Sequence, residues 1–229
     1  MAGTLYVVAT PIGNLKDITL RAIEALRSVD LIACEDTRHA AILLRAHGIA
    51  TPTTSYHSYS GAGKTQRLVQ QLRDGTGIAL VSDAGMPGIS DPGVPLIHAA
   101  IAAGVPVEVI PGPSAALTAL VLSGFPTDRF AFEGFLPVKP GPRHRRLEAL
   151  RDEERSLIVY EGPHRLVKLL QEICEVFGDI PLSVSRELTK KFEETRRGRG
   201  SELERHFTQH PPRGEFVVVI PGQRARIHG

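Results

Sequence analysis

Three short runs in the first half of the chain, Leu5 to Ala9, Leu31 to Cys34 and Ile78 to Val81, are apolar with no polar alternation. A strand that faces water on one side alternates, whereas a strand buried on both sides does not. Such runs therefore demand a mostly parallel sheet covered by helices on both faces. Val107 to Ile110 reads as a further strand and Thr51 to Tyr56 as another. Helical stretches fall between them. Asp17 can cap a helix reaching Ser28, with Leu20, Ile23, Ala25 and Leu26 on one side. Others run to Arg45, over Thr65 to Leu72, over Val94 to Ala103, and over Ser114 to Leu122. The expectation is an α/β chain whose N-terminal domain, residues 1–123, is Rossmann-like.

The turns of that alternation are unusually costly to build. Val81 to Gly93, VSDAGMPGISDPG, places two Asp, three Gly and two Pro directly after a strand. A surface connector needs only to turn, and the ends of parallel strands are where open α/β sheets bind ligands. Ile110-Pro111-Gly112-Pro113-Ser114 repeats the grammar, with Ser114 and Ala115 opening a helix. Asp83 and Asp91 can contact a ligand or can close the turn and cap a helix. Glu35-Asp36-Thr37-Arg38 follows a strand end in the same way, and its charge exceeds what a cap needs.

Gly124 to Asp128 is the expected boundary, followed by a C-terminal domain over 124–222 with a mixed sheet. Its strands are read at Phe130 to Phe132, Leu157 to Tyr160, Leu182 to Ser185, Thr195 to Arg197 and Phe216 to Ile220. Pro137 to Pro142 reads as a loop before a basic helix from Arg143 to Arg151. Leu166, Leu169, Leu170, Ile173 and Phe177 give the next helix, Pro163 to Phe177, its apolar face. Residues 223–229 read as a loose tail.

Composition narrows the function classes. A hydrophobic content of 42% over 229 residues is that of a folded chain, and a net charge of +2 does not announce a nucleic-acid binder. Positive charge is instead local, at Lys139 to Arg146 and at Arg196 to Arg199. Either cluster can contact a phosphate backbone or form a solvated face. Two isolated cysteines and scattered histidines lack metal or redox spacing. Gly61 to Thr65 mimics a phosphate loop but lacks its first glycine, so Tyr56 to Thr65 is read as a mobile lid in which His57 and Tyr59 could stack on a base. No apolar run approaches the roughly 18 residues of a membrane span, and a cytoplasmic protein is expected.

Taken together, the motifs carry a family resemblance. They are Thr10 to Leu15, Glu35 to Arg38, Ser82 to Gly93 and Pro111 to Ala115, then Phe132 to Pro137, Tyr160 to Arg165 and Arg186 to Glu193. Over residues 4–222 the chain resembles the bacterial 16S rRNA cytidine 2'-O-ribose methyltransferases of the tetrapyrrole (corrin/porphyrin) methylase superfamily. The resemblance implies S-adenosyl-L-methionine in a cleft between two α/β domains, a homodimer, and a cytidine ribose of the decoding region as substrate, within the 30S subunit. By motif, Thr10, Pro11, Gly13, Asp83, Gly85, Met86, Pro87, Ser114 and Ala115 would line the cofactor site, joined by Pro163 and Glu215. Asp91, Glu35 and Asp36 are the candidates for accepting the hydroxyl proton. Arg38, His57, Arg143, Arg145, Arg146, Arg165, Arg186 and Arg197 are the candidate RNA contacts. No metal is implied. Two segments depart from the pattern: His57-Ser58-Tyr59-Ser60 replaces an acidic patch, and the sequence stops soon after Gly222. A tetrapyrrole methyltransferase and a non-catalytic RNA-binding assembly factor are the alternatives.

Overall fold

The computed structural model of the chain describes residues 2–227. Two compact units divide it, residues 1–114 and 115–229.

In the first unit, five parallel strands are β1 (Leu5–Val8), β2 (Leu31–Cys34), β3 (Thr53–Ser55), β4 (Ile78–Val81) and β5 (Val107–Ile110). They stand side by side in the order β3-β2-β4-β1-β5. The four helices are α1 (Leu20–Ser28), α2 (Thr37–Ala46), α3 (Ala62–Arg73) and α4 (Val94–Ala102). The strands feed two separate cores with alternate residues. Val8, Ile32, Cys34, Ala79 and Val81 pack with Ala22 and Leu26 of α1 and Leu43 and Leu44 of α2. Leu5, Val7, Ala33, Ile78 and Leu80 pack with Leu68 and Leu72 of α3 and Leu96 and Ala100 of α4. Residues of the inner strands β1, β2 and β4 thus meet a helix whichever way they point, which is the physical reason their runs are continuous rather than alternating. The edge strands β3 and β5 are partly exposed, with Val109 open to solvent. Burying a side chain of this size contributes about 1.5–3 kcal/mol.

Strand order also locates the site. The chain leaves β1 toward β2 and leaves β4 toward β5, in opposite directions along the sheet. β1 and β4 are neighbours, with Leu5 beside Ile78 and Val7 beside Leu80. The crevice at their carboxyl ends is therefore a topological switch point, the place where open α/β sheets take ligands.

The second unit holds α5 (Ala115–Ser123), β6 (Phe130–Phe135), α6 (Pro140–Ala149), β7 (Ser156–Glu161), α7 (Leu166–Phe177), β8 (Pro181–Arg186), β9 (Glu194–Arg199), α8 (Gly200–Gln209), β10 (Phe216–Ile220) and α9 (Gln223–Ile227). Its sheet runs β6-β7-β10-β8-β9. Only β6 and β7 are parallel; the other neighbours are antiparallel. Leu157, Val159, Leu182, Val184 and Val218 pack with Leu147 of α6, Leu169 and Ile173 of α7, and Leu203 and Phe207 of α8. The expected mixed sheet is present.

Four segments differ from expectation. Thr19, not Asp17, caps α1, its hydroxyl accepting from the Ala22 N–H at 3.1 Å, and Asp17 ends a short 3-10 turn before it. The helix α5 packs on β7, β8, β9 and β10 and belongs with the second unit, so the division falls at Ser114 rather than at Gly124. Pro140 to Pro142, expected as loop, form the first turn of α6, where the missing proline N–H groups have no helical partner to lose. Residues 223–227 are a helix rather than a loose tail. Gln223 N–H donates to the Glu153 carbonyl at 2.8 Å, and the Arg226 guanidinium lies 4.4 Å from the Phe177 ring. Residues 228–229 lie outside the described residues.

Candidate active site at the carboxyl edge of the parallel sheet

Four loops of the first unit meet at this edge, held by specific bonds. Thr10, just past β1, exchanges backbone hydrogen bonds with Gly85, just past β4, at 2.9 and 3.1 Å. The Thr10 hydroxyl, buried, donates to the Ser82 carbonyl at 3.2 Å. Gly85 has φ +76, a conformation that costs an L side chain about 1–2 kcal/mol. A Cβ placed there would stand 3.6 Å from Ile12 and 3.9 Å from the Pro113 carbonyl. The missing side chain leaves a cradle walled by the loops after β1, β4 and β5. Pro11 and Pro87 are buried beside it, Met86 is half-buried against the α4 core, and Gly13 is exposed. Ser114 is half-buried and ends the unit.

The loop after β2 joins through carboxylates. The Asp36 backbone N–H donates to Asp83 Oδ1 at 3.3 Å. Glu35, Asp36 and Asp83 thus share one corner, as the parallel pairing of β2 with β4 dictates. The three are not equivalent. Burial first, then the neighbouring Asp83 charge, raises the Glu35 pKa. Asp36 goes the other way. It caps α2 at the Arg38 N–H and takes two hydrogen bonds from the Arg38 guanidinium, at 3.1 and 2.7 Å. That pairing holds its carboxyl well below the ordinary carboxylate range. The Cys34 thiol is pushed up to about 11 by burial and by Asp83 and Asp36. It is inert as a nucleophile.

A residue outside the sequence candidates completes the corner. Lys64, in the first turn of α3, reaches back to the Ser55 hydroxyl at 3.4 Å, and its charge is felt at Cys34. Gly61 to Thr65 drew notice only as an imperfect phosphate loop. What places the lysine is α3 beginning at Ala62 and the buried bond between Tyr56 OH and Thr65 Oγ1 at 2.9 Å. His57 and Tyr59 are exposed, their rings 6.4 Å apart. On the same side of β4, Asp91 is half-buried in a turn where Gly88, Ser90 and Gly93 all have positive φ.

In the second unit the candidate arginines separate. Arg143 is withdrawn from the RNA contacts: it is 3% exposed and forms a two-pronged ion pair with the equally buried Glu172, at 2.6 and 2.9 Å. It joins α6 to α7. Arg145 is exposed, and Arg146 pairs with Glu133 at 2.7 Å while remaining accessible. Arg165 is held against the buried Glu161 at 2.5 Å, two residues past Pro163. Arg186 pairs with Glu194 at 2.9 Å, and Arg197 donates to the Leu122 carbonyl. Glu215 accepts from Lys190 at 2.8 Å.

Comparison with known proteins agrees with this architecture. Residues 4–204 match the family model described as tetrapyrrole (corrin/porphyrin) methylases. A ribosomal RNA small subunit methyltransferase I from Synechocystis is 51% identical over 221 residues, covering 96% of this chain and 79% of that protein. A protein of the same name from Thermotoga maritima is 43% identical over 221 residues, covering 96% and 99%. Among solved structures, a uroporphyrin-III-C-methyltransferase from Thermus thermophilus matches with TM-score 0.68 at 23% identity, over 99% of this chain and 97% of that one. A conserved hypothetical protein from Aeropyrum pernix K1 matches with TM-score 0.75 at 21% identity, over 97% and 86%. These two speak for the fold alone. The chain belongs to the tetrapyrrole (corrin/porphyrin) methylase family, in the branch of the ribosomal RNA small subunit methyltransferase I proteins, and is a methyl-transferring enzyme.

Proposed function

We propose that the protein transfers a methyl group from S-adenosyl-L-methionine to the 2'-oxygen of a cytidine ribose in the decoding region of small-subunit rRNA, within the 30S particle. The observation that carries the reading is the corner of Glu35, Asp36 and Asp83 beside the Gly85 cradle. The donor set suits the cofactor. S-adenosylmethionine supplies a methyl group on a cationic sulfur, and the Asp83 carboxylate, two residues before Gly85 at the open backbone cradle, favours a cation. Thr10, Gly85 and Pro87 would hold it through a bonded, low-flexibility backbone, with Asp83 as the polar anchor.

A ribose hydroxyl is a weak acid, so a nearby group should accept its proton as the new C–O bond forms. Glu35 is best matched to that task among these carboxylates, because burial and Asp83 make it the more basic. Asp36, tied to Arg38, instead orients the loop. Exposed Arg145 and Arg146 suit phosphates of the RNA backbone. Alignment of oxygen and methyl supplies much of the remaining rate.

The test is transfer of labelled methyl from S-adenosylmethionine to unmodified 30S subunits, followed by alkaline hydrolysis. A 2'-O-methyl blocks cleavage of its own phosphodiester, so the label should appear in an alkali-resistant dinucleotide containing cytidine. Label on a base, or on a tetrapyrrole and not on RNA, would overturn the reading.

A further inference from the structure

We propose that the loop between β8 and β9 is a preformed contact for single-stranded RNA, with Phe192 stacking on a base and Lys191 meeting the adjoining phosphate. The proposal rests on the RNA reading above and goes beyond it in naming the contact.

The loop, Glu187 to Glu193, is held in a conformation that its sequence alone would not favour. Among the described residues three non-glycine residues have positive φ, and two are here, Glu187 at 48° and Thr189 at 65°. Such residues persist only where their surroundings over-determine them. Lys190 does so by bridging Glu187 Oε1 at 2.9 Å and Glu215 Oε2 at 2.8 Å. The Glu187 N–H donates to the Glu215 carbonyl, and the Glu215 N–H returns a bond to Glu187 Oε1, both at 3.1 Å. Thr189 N–H donates to Glu193 Oε2 at 2.6 Å, and Leu188 is buried. Gly214 makes room: with φ +89, a Cβ there would lie 2.4 Å from Glu187 Oε1.

All this order presents two side chains to solvent. Phe192 is 65% exposed, and Lys191 Nζ lies 5.5 Å from its ring centre. Lys190 is consumed by its two carboxylates, whereas among the described residues no carboxylate pairs with Lys191. With most of its surface in solvent, Phe192 contributes little to packing within the chain. Its ring face is a platform that any unstacked base can use. Charge favours a polyanion over an apolar partner, since Arg186 to Arg199 hold six cations against three carboxylates. The loop also leads into β9, the outermost strand, whose Arg196, Arg197 and Arg199 are exposed.

The chain contains no tryptophan, so Phe192→Trp creates a single reporter at the tip. Its emission should be quenched by deproteinised 16S rRNA as well as by 30S subunits. Phe192→Ala should raise the KM for 30S subunits about tenfold or more, a stacking-sized effect. Its kcat should stay within about twofold and its melting temperature within about 1 °C, with the Trp variant close to wild type. Lys191→Ala should weaken binding and lower its salt slope by about one. Quenching by 30S subunits but not by deproteinised rRNA would overturn the proposal in favour of a ribosomal protein. Wild-type KM in Phe192→Ala, with RNA still methylated, would sink the contact and spare the RNA reading. If wild-type protein neither binds nor methylates RNA, both fall.

Discussion

Glu35 and Asp36 are adjacent carboxyl residues on one loop, and their surroundings drive them apart. Burial and Asp83 raise Glu35, while Arg38 lowers Asp36. A proton acceptor works only when ionised, so a raised pKa moves the acid limb of the rate profile upward from the ordinary glutamate position. Single-turnover methyl transfer should therefore rise with pH through that limb. In Glu35→Gln the limb should vanish and the rate fall about 100-fold, with cofactor affinity by calorimetry changed less than about twofold. Wild-type turnover in that variant would return the role to Asp91. The Glu35 to Arg38 motif was visible as charge in excess of a cap, but the ranking within it was not. Ranking needed the Asp83 contact, which joins residues 47 apart in sequence and depends on strand order. Lys64 escaped for a similar reason, since its reach to Ser55 is set by where α3 starts.

At the scale of elements, α6 shows how composition misleads. Its basic run looked like one phosphate-contacting patch, yet Arg143, Arg145 and Arg146 point to different surroundings. Helical geometry turns successive residues by about 100°, so Arg145 lies roughly 160° round the helix from Arg143, while Arg146, three residues on, sits about 60° from it at the rim of the same side. Arg143 faces α7 and meets Glu172, a residue that the apolar pattern of α7 gave no reason to single out. Arg143→Ala leaves Glu172 buried and uncompensated, which should cost about 3–5 kcal/mol, or roughly 10 °C in thermal melting. Arg145→Ala should leave the melting temperature unchanged and lower the salt slope of RNA binding by about one. The double change Arg143→Met with Glu172→Leu should recover most of the lost stability, because an apolar pair can replace a buried ion pair at little cost. The pairing also sets a pH dependence. Arg143 depresses the Glu172 pKa in the folded state. The stabilisation is therefore complete above the unfolded carboxylate value and is lost as pH falls through the depressed one. Arg143→Ala should flatten that acid-side loss.

The whole molecule is two units, each with its own sheet and core, and the helix at their junction decides where each ends. The inner parallel strands of the first unit, β1, β2 and β4, could be read directly, because burial on both faces leaves an unbroken apolar run. The helix α5 could not be assigned that way. Its sequence, AALTALVLS, is apolar nearly all round, so periodicity does not say which sheet it covers. Chain order suggested the first sheet, since it follows β5. The packing gives it to the second, where Ala116, Ala119, Leu120 and Ser123 are buried over β7, β8 and β10. That face of the second sheet carries Ile158, Val217 and Val219, all buried, and stripping α5 would expose them to water. A fragment of residues 115–229 should therefore melt as one cooperative transition by circular dichroism. A fragment of residues 124–229 should lose that transition or aggregate, while residues 1–114, which retain all five parallel strands and α1 to α4, should fold without it. Cooperative melting of 124–229 at the temperature of 115–229 would mean that α5 contributes nothing to the second core, and the boundary would move back to Gly124.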